Sequence, residues 1–298
     1  PAELLYQSTR VEPLADLVAQ ATVDGSPRVR EKARPADALV RDSIRASDGR
    51  PVVLLGGPGA GKSRYLRHLA TTGSERGALF GIRRPLVVLV PLAARAQELR
   101  VGLREAVLAH LLATCPLAAH ALDTAAVAGR LVLLLDGLDE VDDVAGVAAA
   151  IVKGLGSLAA AVVVVTSRPA GYPGDLLPHA RVATLAPLAP DQIRAFLEAW
   201  CRQYAVDLHG DTAETRAEGE REGAALANEV LGRPQLAELA GSPLLLSIVG
   251  LVHRTGVRLP DHRVELCAHM THVLVERWNR FRSEGGAARP PIKLGDAQ

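Results

Sequence analysis

A glycine-rich loop that contains a lysine is the feature of this sequence best suited to chemistry. Gly56–Ser63 reads GGPGAGKS and lies between an apolar run and a helix-like segment, matching the pattern G-x-x-x-x-G-K-[ST]. A glycine-rich backbone can wrap closely enough for its N–H groups to point at phosphate oxygens. In such a loop the lysine reaches the β- and γ-phosphates, and the hydroxyl ligates Mg²⁺. The residues predicted to bind nucleotide are Gly56, Gly57, Pro58, Gly59, Ala60, Gly61, Lys62, Ser63 and Arg64. A chance glycine-rich turn is the alternative.

A group of acidic residues follows the apolar run Leu131–Leu135. A strand that delivers a carboxylate at its C-terminal end would place Asp136 beside the metal that Ser63 holds, so both are predicted Mg²⁺ ligands. Asp139 and Glu140 come just beyond, where either could orient or deprotonate a water aimed at the γ-phosphate. The sequence leaves open which of the two acts on the water. An exposed acidic turn is the alternative interpretation.

A third apolar run, Ala161–Val165, ends in the residues Thr-Ser-Arg-Pro at 166–169. The carboxyl ends of parallel strands meet at one edge of a sheet, so Arg168 is expected on the same rim as Lys62 and Asp136. A guanidinium at that place can sense or neutralise a γ-phosphate. Arg168 is therefore a candidate catalytic residue, and a structural cap or surface charge is the alternative.

Short runs of valine and leucine, separated by helical stretches, must position these side chains. The runs do not alternate apolar with polar residues, which is typical of strands covered on both faces. Buried strands that alternate with helices predict a parallel sheet with helices on both sides. The predicted strands are Val52–Leu55, Leu86–Val90, Leu131–Leu135, Ala161–Val165 and Arg181–Leu185.

Helix signals replace the strand signals from about Ala186 onward. Pro190 and Pro243 each follow a polar or small residue and suit the first turn of a helix, and a third helix is predicted over about residues 260–282. The polar stretch Asp211–Gly223 is predicted to be a solvated insertion or helix face. The predicted organisation is a linker or helical lead-in (1–45), a nucleotide-binding domain (46–185), an all-helical lobe (186–284) and a further linker (285–298).

The composition excludes several classes of protein. Hydrophobic residues make up 48% and charged residues 22%, near the globular average, so extensive disorder is not expected. A formal net charge of +1 and an aromatic content of 3% argue against nucleic-acid binding. The stretch Val144–Val165 is predicted to be a buried helix followed by a buried strand rather than a membrane span. Three widely spaced cysteines and the lack of a signal-peptide pattern favour a reducing, cytoplasmic location.

Three motifs together resemble the NACHT module of STAND P-loop NTPases, the group that contains animal NOD-like receptors and bacterial antiphage sensors. They are DGLDE at 136–140, TSRP at 166–169 and GSPLLL at 241–246. Their order and spacing agree with that family, and the likeness covers about residues 45–282. The resemblance implies a P-loop NTPase fold, with a parallel sheet flanked by helices and a C-terminal helical lobe.

The resemblance also implies roles for single residues. Arg168 would sense the γ-phosphate, Asp139 with Glu140 would hold the hydrolytic water, and Pro243 would pack on the adenine. Arg263, Glu265 and Leu266 resemble the start of the last helix of the family's lobe, where Cys267 departs from the usual aromatic. Family members usually continue into a winged-helix domain, so residues 285–298 are expected to lead toward such a domain outside this chain.

The sequence thus predicts a slow, regulatory ATPase that binds ATP or ADP with Mg²⁺ as the switch of a larger signalling protein. Neither asparagine, Asn228 or Asn279, precedes a lysine, so the guanine-reading Asn-Lys-x-Asp pattern is missing and ATP is favoured. The expected partners are effector and sensor domains of the same chain, and the full-length protein could self-associate. The rivals are an AAA+-like remodelling ATPase and a nucleotide-binding scaffold without turnover.

Overall fold

The computed structural model describes residues 50–76, 82–158, 160, 162–173 and 176–254. It also describes the strand residues 10–13 and 34–35 and the single residues 259, 264, 265, 268 and 271. These residues belong to two compact units, one that runs to Pro187 and one that starts at Leu188. Each unit is described by itself below.

The first unit is built on one sheet. Its order, from edge to edge, is β2-β1-β7-β3-β6-β5-β4, and the five strands from β7 to β4 are parallel to their neighbours. This confirms the predicted parallel sheet, with three strands extended by one or two residues beyond the predicted ends. The strands are β1 Arg10–Pro13, β2 Arg34–Pro35, β3 Val52–Leu55, β4 Leu86–Pro91, β5 Leu131–Asp136, β6 Val162–Ser167 and β7 Arg181–Leu185.

The strands β1 and β2 have no counterpart in the sequence prediction, which treats residues 1–45 as a linker or helical lead-in. β1 pairs antiparallel with β7, with Val11 opposite Leu185, and β2 pairs antiparallel with β1. Both strands are very short, so neither contains enough residues for a periodic pattern to be read. The N-terminal segment therefore extends the sheet beyond β7.

The central strands are apolar until their last residues. β3 is buried throughout, and so is β5 up to Leu135. β6 is also buried along its whole length, including the polar Thr166 and Ser167 at its end. Because the valine and leucine runs of these three strands are buried, the polar residues of the three lie at the carboxyl edge of the sheet.

Helices and short turns connect the strands of this unit. The region predicted to form a buried helix and then a strand contains the helix Val144–Leu158 followed by β6, as expected. Leu103, Val107, Ile151 and Leu158 are among the helical side chains that pack with the strands in one apolar core. The α-helices are α1 Lys62–Arg76, α2 Ala96–Leu99, α3 Leu103–Thr114, α4 Pro116–His120, α5 Leu122–Val127 and α6 Val144–Leu158. Single 3-10 turns span Ala93–Arg95, Leu138–Glu140 and Pro169–Gly171.

The second unit is helical in its described residues. Its helices are α7 Pro190–His209, α8 Ala213–Leu231, α9 Pro234–Ala240 and α10 Pro243–Arg254. The starts predicted at Pro190 and Pro243 are confirmed. The third predicted helix, with Arg263 and Leu266, lies outside the described residues except for Val264, Glu265, Ala268 and Thr271, which are helical. No single described helix is long and apolar enough to span a bilayer; α9 and α10 pass that test only as a pair bent by 119°.

The polar stretch at 211–223 forms most of α8, and two of its glycines face α7. A Cβ atom on Gly223 would lie 2.4 Å from the Cα atom of Glu198, and one on Gly219 would lie 2.6 Å from the Cα atom of Arg202. Real Cβ atoms do not approach backbone this closely, so the two helix backbones can pack in this way only because both residues are glycine. The exposed face of α8 is charged, as its composition predicts.

Candidate functional site

The glycine-rich loop joins β3 to α1 at the carboxyl edge of the sheet. Gly59 and Gly61 have left-handed backbone conformations, with φ of 75° and 90°. Gly56 is confined for another reason: an added Cβ atom would lie 3.1 Å from the Cβ atom of Ala60. The Tyr65 N–H group donates to the Gly61 oxygen at 2.8 Å and so starts α1. A loop of this shape at a helix N-terminus is suited to an anion.

Lys62 is the first residue of α1, and its ammonium group bonds to the loop itself. Its Nζ atom donates to the Gly56 oxygen at 2.7 Å and to the Gly57 oxygen at 3.2 Å. The ammonium group is thereby held over the loop in which phosphate would bind. A phosphate oxygen, which carries more negative charge than a carbonyl, would compete well for the same donors.

Four charged residues near Lys62 influence its pKa. Burial lowers the pKa of Lys62 below its ordinary value, while nearby charges act in both directions. The carboxylates raise this pKa, whereas the guanidinium lowers it, because like charges disfavour protonation. The groups that act on Lys62 are those of Asp139, Arg168, Asp136 and Glu140. The acids at and just after the end of β5 and the arginine that follows β6 are therefore near enough to Lys62 to affect its charge.

Asp136 ends β5, and a residue of the adjacent strand holds its carboxylate. The Thr166 hydroxyl donates to Asp136 Oδ1 at 2.6 Å and accepts from the Gly137 N–H group at 3.0 Å. The sequence analysis does not identify Thr166 as a site residue. The clue in the sequence is a hydroxyl residue one position before the end of β6. It becomes informative only when β6 is known to pair with β5 in parallel, because Thr166 then comes next to Asp136.

Asp139 and Arg168 bind each other. Asp139 Oδ1 accepts from the Arg168 backbone N–H group at 2.8 Å, and Oδ2 lies 3.1 Å from the Arg168 Nε atom. The Asp139 side chain is 9% exposed, whereas that of Arg168 is 51% exposed. Gly171 contacts the aspartate so closely that a Cβ atom would lie 2.3 Å from the Asp139 Cβ atom. Both oxygens of Asp139 are thus engaged, and its side chain is held in place.

Glu140 differs from its neighbour because it is exposed to solvent. The turn that presents it begins at Gly137, whose left-handed backbone has φ of 77° and ψ of 53°. This backbone conformation favours glycine, because L side chains rarely adopt it. The two adjacent acids therefore present one held and one accessible carboxylate.

The remaining predicted residues fall in three places. Ser63 is partly buried in the first turn of α1, next to Lys62, and Arg64 lies on the exposed side of the same turn. Pro243 is the first residue of α10 in the helical unit, and its role at an adenine stays a prediction.

The donor groups present fit Mg²⁺ bound together with a phosphate. Thr166 occupies one oxygen of Asp136, so the other can serve as a ligand, and the Ser63 hydroxyl follows the phosphate loop. Among the described residues, no three histidine, cysteine or acidic side chains converge on a metal cage. Mg²⁺ commonly binds through one or two protein oxygens plus substrate phosphates, so such a cage is not required.

A phosphate loop after the central strand of a parallel sheet, with a carboxylate two strands away, defines a P-loop NTPase. The family model of the NACHT domain matches residues 50–204, which is more than half of the chain. The chain belongs to the NACHT family, whose members are nucleotide-binding NTPase domains.

No curated protein matches the chain. Among solved structures, that of PCH-2 from C. elegans is similar at 14% identity, over 82% of this chain and 67% of that one, with a TM-score of 0.38. Agreement at that level carries no argument about the activity of this chain.

Proposed function

We propose that this chain binds ATP and ADP with Mg²⁺ and hydrolyses ATP slowly, as the switch module of a larger STAND-type signalling protein of the immune or antiphage kind. The observation that carries the proposal is the phosphate loop with Lys62 bonded across it, at the same edge of the sheet as the charged residues at and just after the ends of β5 and β6. A cytoplasmic location accords with this role.

Phosphate binding is the task of the loop and of Lys62. The loop glycines let backbone N–H groups approach phosphate oxygens, and the N-terminus of α1 adds partial positive charge. Lys62 exchanges its carbonyl partners, Gly56 and Gly57, for phosphate oxygens. Mg²⁺, held by Ser63 and Asp136, would supply charge neutralisation at the phosphates when bound.

We expect Glu140, rather than Asp139, to activate the water that attacks the γ-phosphate. A base must reach the water from which it takes a proton, and Glu140 is exposed at the site. Asp139 already accepts a hydrogen bond from the Arg168 backbone N–H group, forms an ion pair with the Arg168 guanidinium and is nearly buried. In this proposal Asp139 holds Arg168, and Glu140 is the residue assigned to the water because it is the more exposed of the two.

Arg168 is the group that distinguishes the two nucleotides. Its guanidinium is half exposed and tethered through Nε to Asp139, which leaves its terminal nitrogens as donors for a γ-phosphate. In this proposal the ATP state permits assembly of the larger protein and the ADP state is closed. Pro243 would contact the adenine, and the effector and sensor segments would lie elsewhere in the full-length protein.

The decisive experiment compares Lys62→Ala with Lys153→Ala, a change at an exposed lysine of α6. Titration of fluorescent ADP and ATP in the presence of Mg²⁺ should show that Lys62→Ala weakens binding by about 2 to 4 kcal/mol. Lys153→Ala should bind as the wild type does. Equal affinities of wild type and Lys62→Ala would refute the phosphate-loop assignment.

Turnover measurements separate the proposal from its rivals. A slow ATPase should hydrolyse a single equivalent of bound ATP and should not accelerate as the protein concentration rises. Fast hydrolysis that depends on oligomer formation would instead indicate a remodelling ATPase. Stable binding without any cleavage in a single-turnover assay would indicate a scaffold.

A further inference from the structure

The end of β6 lies between the two halves of the proposed nucleotide site. On one side, the Ser167 carbonyl accepts from the Gly56 N–H group at 3.2 Å, which ties β6 to the phosphate loop. On the other side, Val165 pairs with Leu135, so that Thr166 comes next to Asp136. Two consecutive residues of one strand thus contact both the loop that would hold phosphate and the carboxylate that would hold metal.

Thr166 makes its contact from a fully buried position. Its relative exposure is 0%, and its hydroxyl takes part in two hydrogen bonds with residues 136 and 137. The Gly137 N–H group can only donate, so the single hydroxyl proton of Thr166 is directed to Asp136 Oδ1. At 2.6 Å this is a short bond of the charge-assisted kind. The carboxylate is therefore restrained in its rotation about χ2.

We propose that Thr166 is a positioning residue for the divalent cation, fixing the Asp136 carboxylate so that its second oxygen stays available to Mg²⁺. The inference rests on the proposed nucleotide function. Groups that hydrogen-bond a metal ligand commonly set its orientation, and their loss lowers metal affinity by about 10- to 100-fold. Thr166 would act through Asp136 without touching the cation itself.

A purely structural role for Thr166 makes a different prediction. If the hydroxyl only satisfies the buried Gly137 N–H group, its removal should lower the stability of the fold and leave the cation dependence of nucleotide binding unchanged. If instead the methyl group matters for packing, Thr166→Ser should be harmful, whereas Thr166→Val, which keeps that methyl group, should not. The two variants therefore distinguish the role of the hydroxyl from that of the methyl group, because serine keeps the hydroxyl and valine keeps the shape of the side chain.

The test is a Mg²⁺ titration of fluorescent ADP binding by the 298-residue chain as wild type, Thr166→Val and Thr166→Ser. The Mg²⁺ midpoint is the Mg²⁺ concentration at which the rise in ADP binding is half complete. For Thr166→Val we expect this midpoint to rise about tenfold or more. The affinity of Thr166→Val for ADP in EDTA should stay within about twofold of wild type. Thr166→Ser should restore a midpoint within about threefold of wild type, because it retains the hydroxyl. Circular dichroism and thermal melting report on folding, and Thr166→Ala replaces the valine variant if that variant does not fold.

Two kinds of result would overturn the inference, and only the second would also reject the proposed nucleotide function. A wild-type Mg²⁺ midpoint in Thr166→Val, or a midpoint in Thr166→Ser as high as that of Thr166→Val, rejects the positioning role alone. A wild-type chain whose ADP binding is absent, or does not respond to Mg²⁺, rejects the positioning role together with the nucleotide function on which it rests.

Discussion

Asp139 and Glu140 are adjacent acids whose environments predict opposite consequences of losing the charge. Asp139 is nearly buried, accepts a hydrogen bond from the Arg168 backbone N–H group and pairs with the Arg168 guanidinium, whereas Glu140 is exposed at the end of its turn. Glu140→Gln and Asp139→Asn are almost isosteric changes, so each removes a charge with little change of shape. The comparison asks which carboxylate does chemistry and which one holds the site together.

The expected magnitudes follow from these contacts. Glu140→Gln should slow ATP cleavage by roughly 10²-fold or more, which corresponds to about 2.7 kcal/mol in activation free energy. Because Glu140 is exposed, the free energy of unfolding should change by less than about 0.5 kcal/mol. Asp139→Asn keeps an acceptor for the Arg168 N–H group and loses only the ion pair. Since Arg168 is half exposed, this loss should cost about 0.5 to 1.5 kcal/mol of stability. Its cleavage rate should fall less than about tenfold.

The assay is single-turnover hydrolysis of labelled ATP with excess protein, combined with nucleotide titration and urea unfolding of each variant. Asp142→Asn, a change at an exposed acid two residues further on, provides the matched control. That control should match wild type in all three measurements. Glu140→Gln should retain ATP affinity, which separates hydrolysis from binding.

Two outcomes would refute the reasoning. If Asp139→Asn abolishes cleavage as strongly as Glu140→Gln and leaves stability unchanged, Asp139 acts on the water and its contacts with Arg168 do not hold in the bound state. If Glu140→Gln cleaves ATP at the wild-type rate, the base lies elsewhere or the module does not hydrolyse ATP.

The remaining predictions concern Arg168 and the packing of α7 against α8. Arg168→Ala should weaken a non-hydrolysable ATP analogue by about 1.5 to 3 kcal/mol and leave ADP nearly unchanged, as measured by calorimetry. Equal weakening of both nucleotides would make Arg168 a general phosphate contact. Gly223→Ala should destabilise the helical unit by about 1 to 3 kcal/mol in urea unfolding, because the added Cβ atom meets the backbone of Glu198 at 2.4 Å. Gly156→Ala on α6 is the control, because nothing lies within 4 Å of the added Cβ atom; it should stabilise the fold by up to about 1 kcal/mol. A similar loss of stability in both variants would contradict the packing argument.

Much of the sheet can be predicted because its causes are local in sequence. Runs such as Val52–Leu55 and Leu131–Leu135 lack polar alternation, and this alone indicates strands buried on both faces. The phosphate loop is equally local, since its glycines, its lysine and the following helix lie within one short segment. Placing Arg168 on the same rim as Lys62 required only the rule that parallel strands share a carboxyl edge.

The tertiary structure decided what depends on residues far apart in the chain. The pairing of Asp139 with Arg168 joins residues 29 positions apart, and that of Asp136 with Thr166 joins residues 30 apart. No periodicity or local motif encodes such contacts, because they arise only when β5 and β6 become neighbours. The antiparallel strand β1 likewise exists through its pairing with β7. The sequence by itself therefore determined which side chains reach the edge of the sheet, and the packing of the strands determined which of them are held and which remain accessible for chemistry.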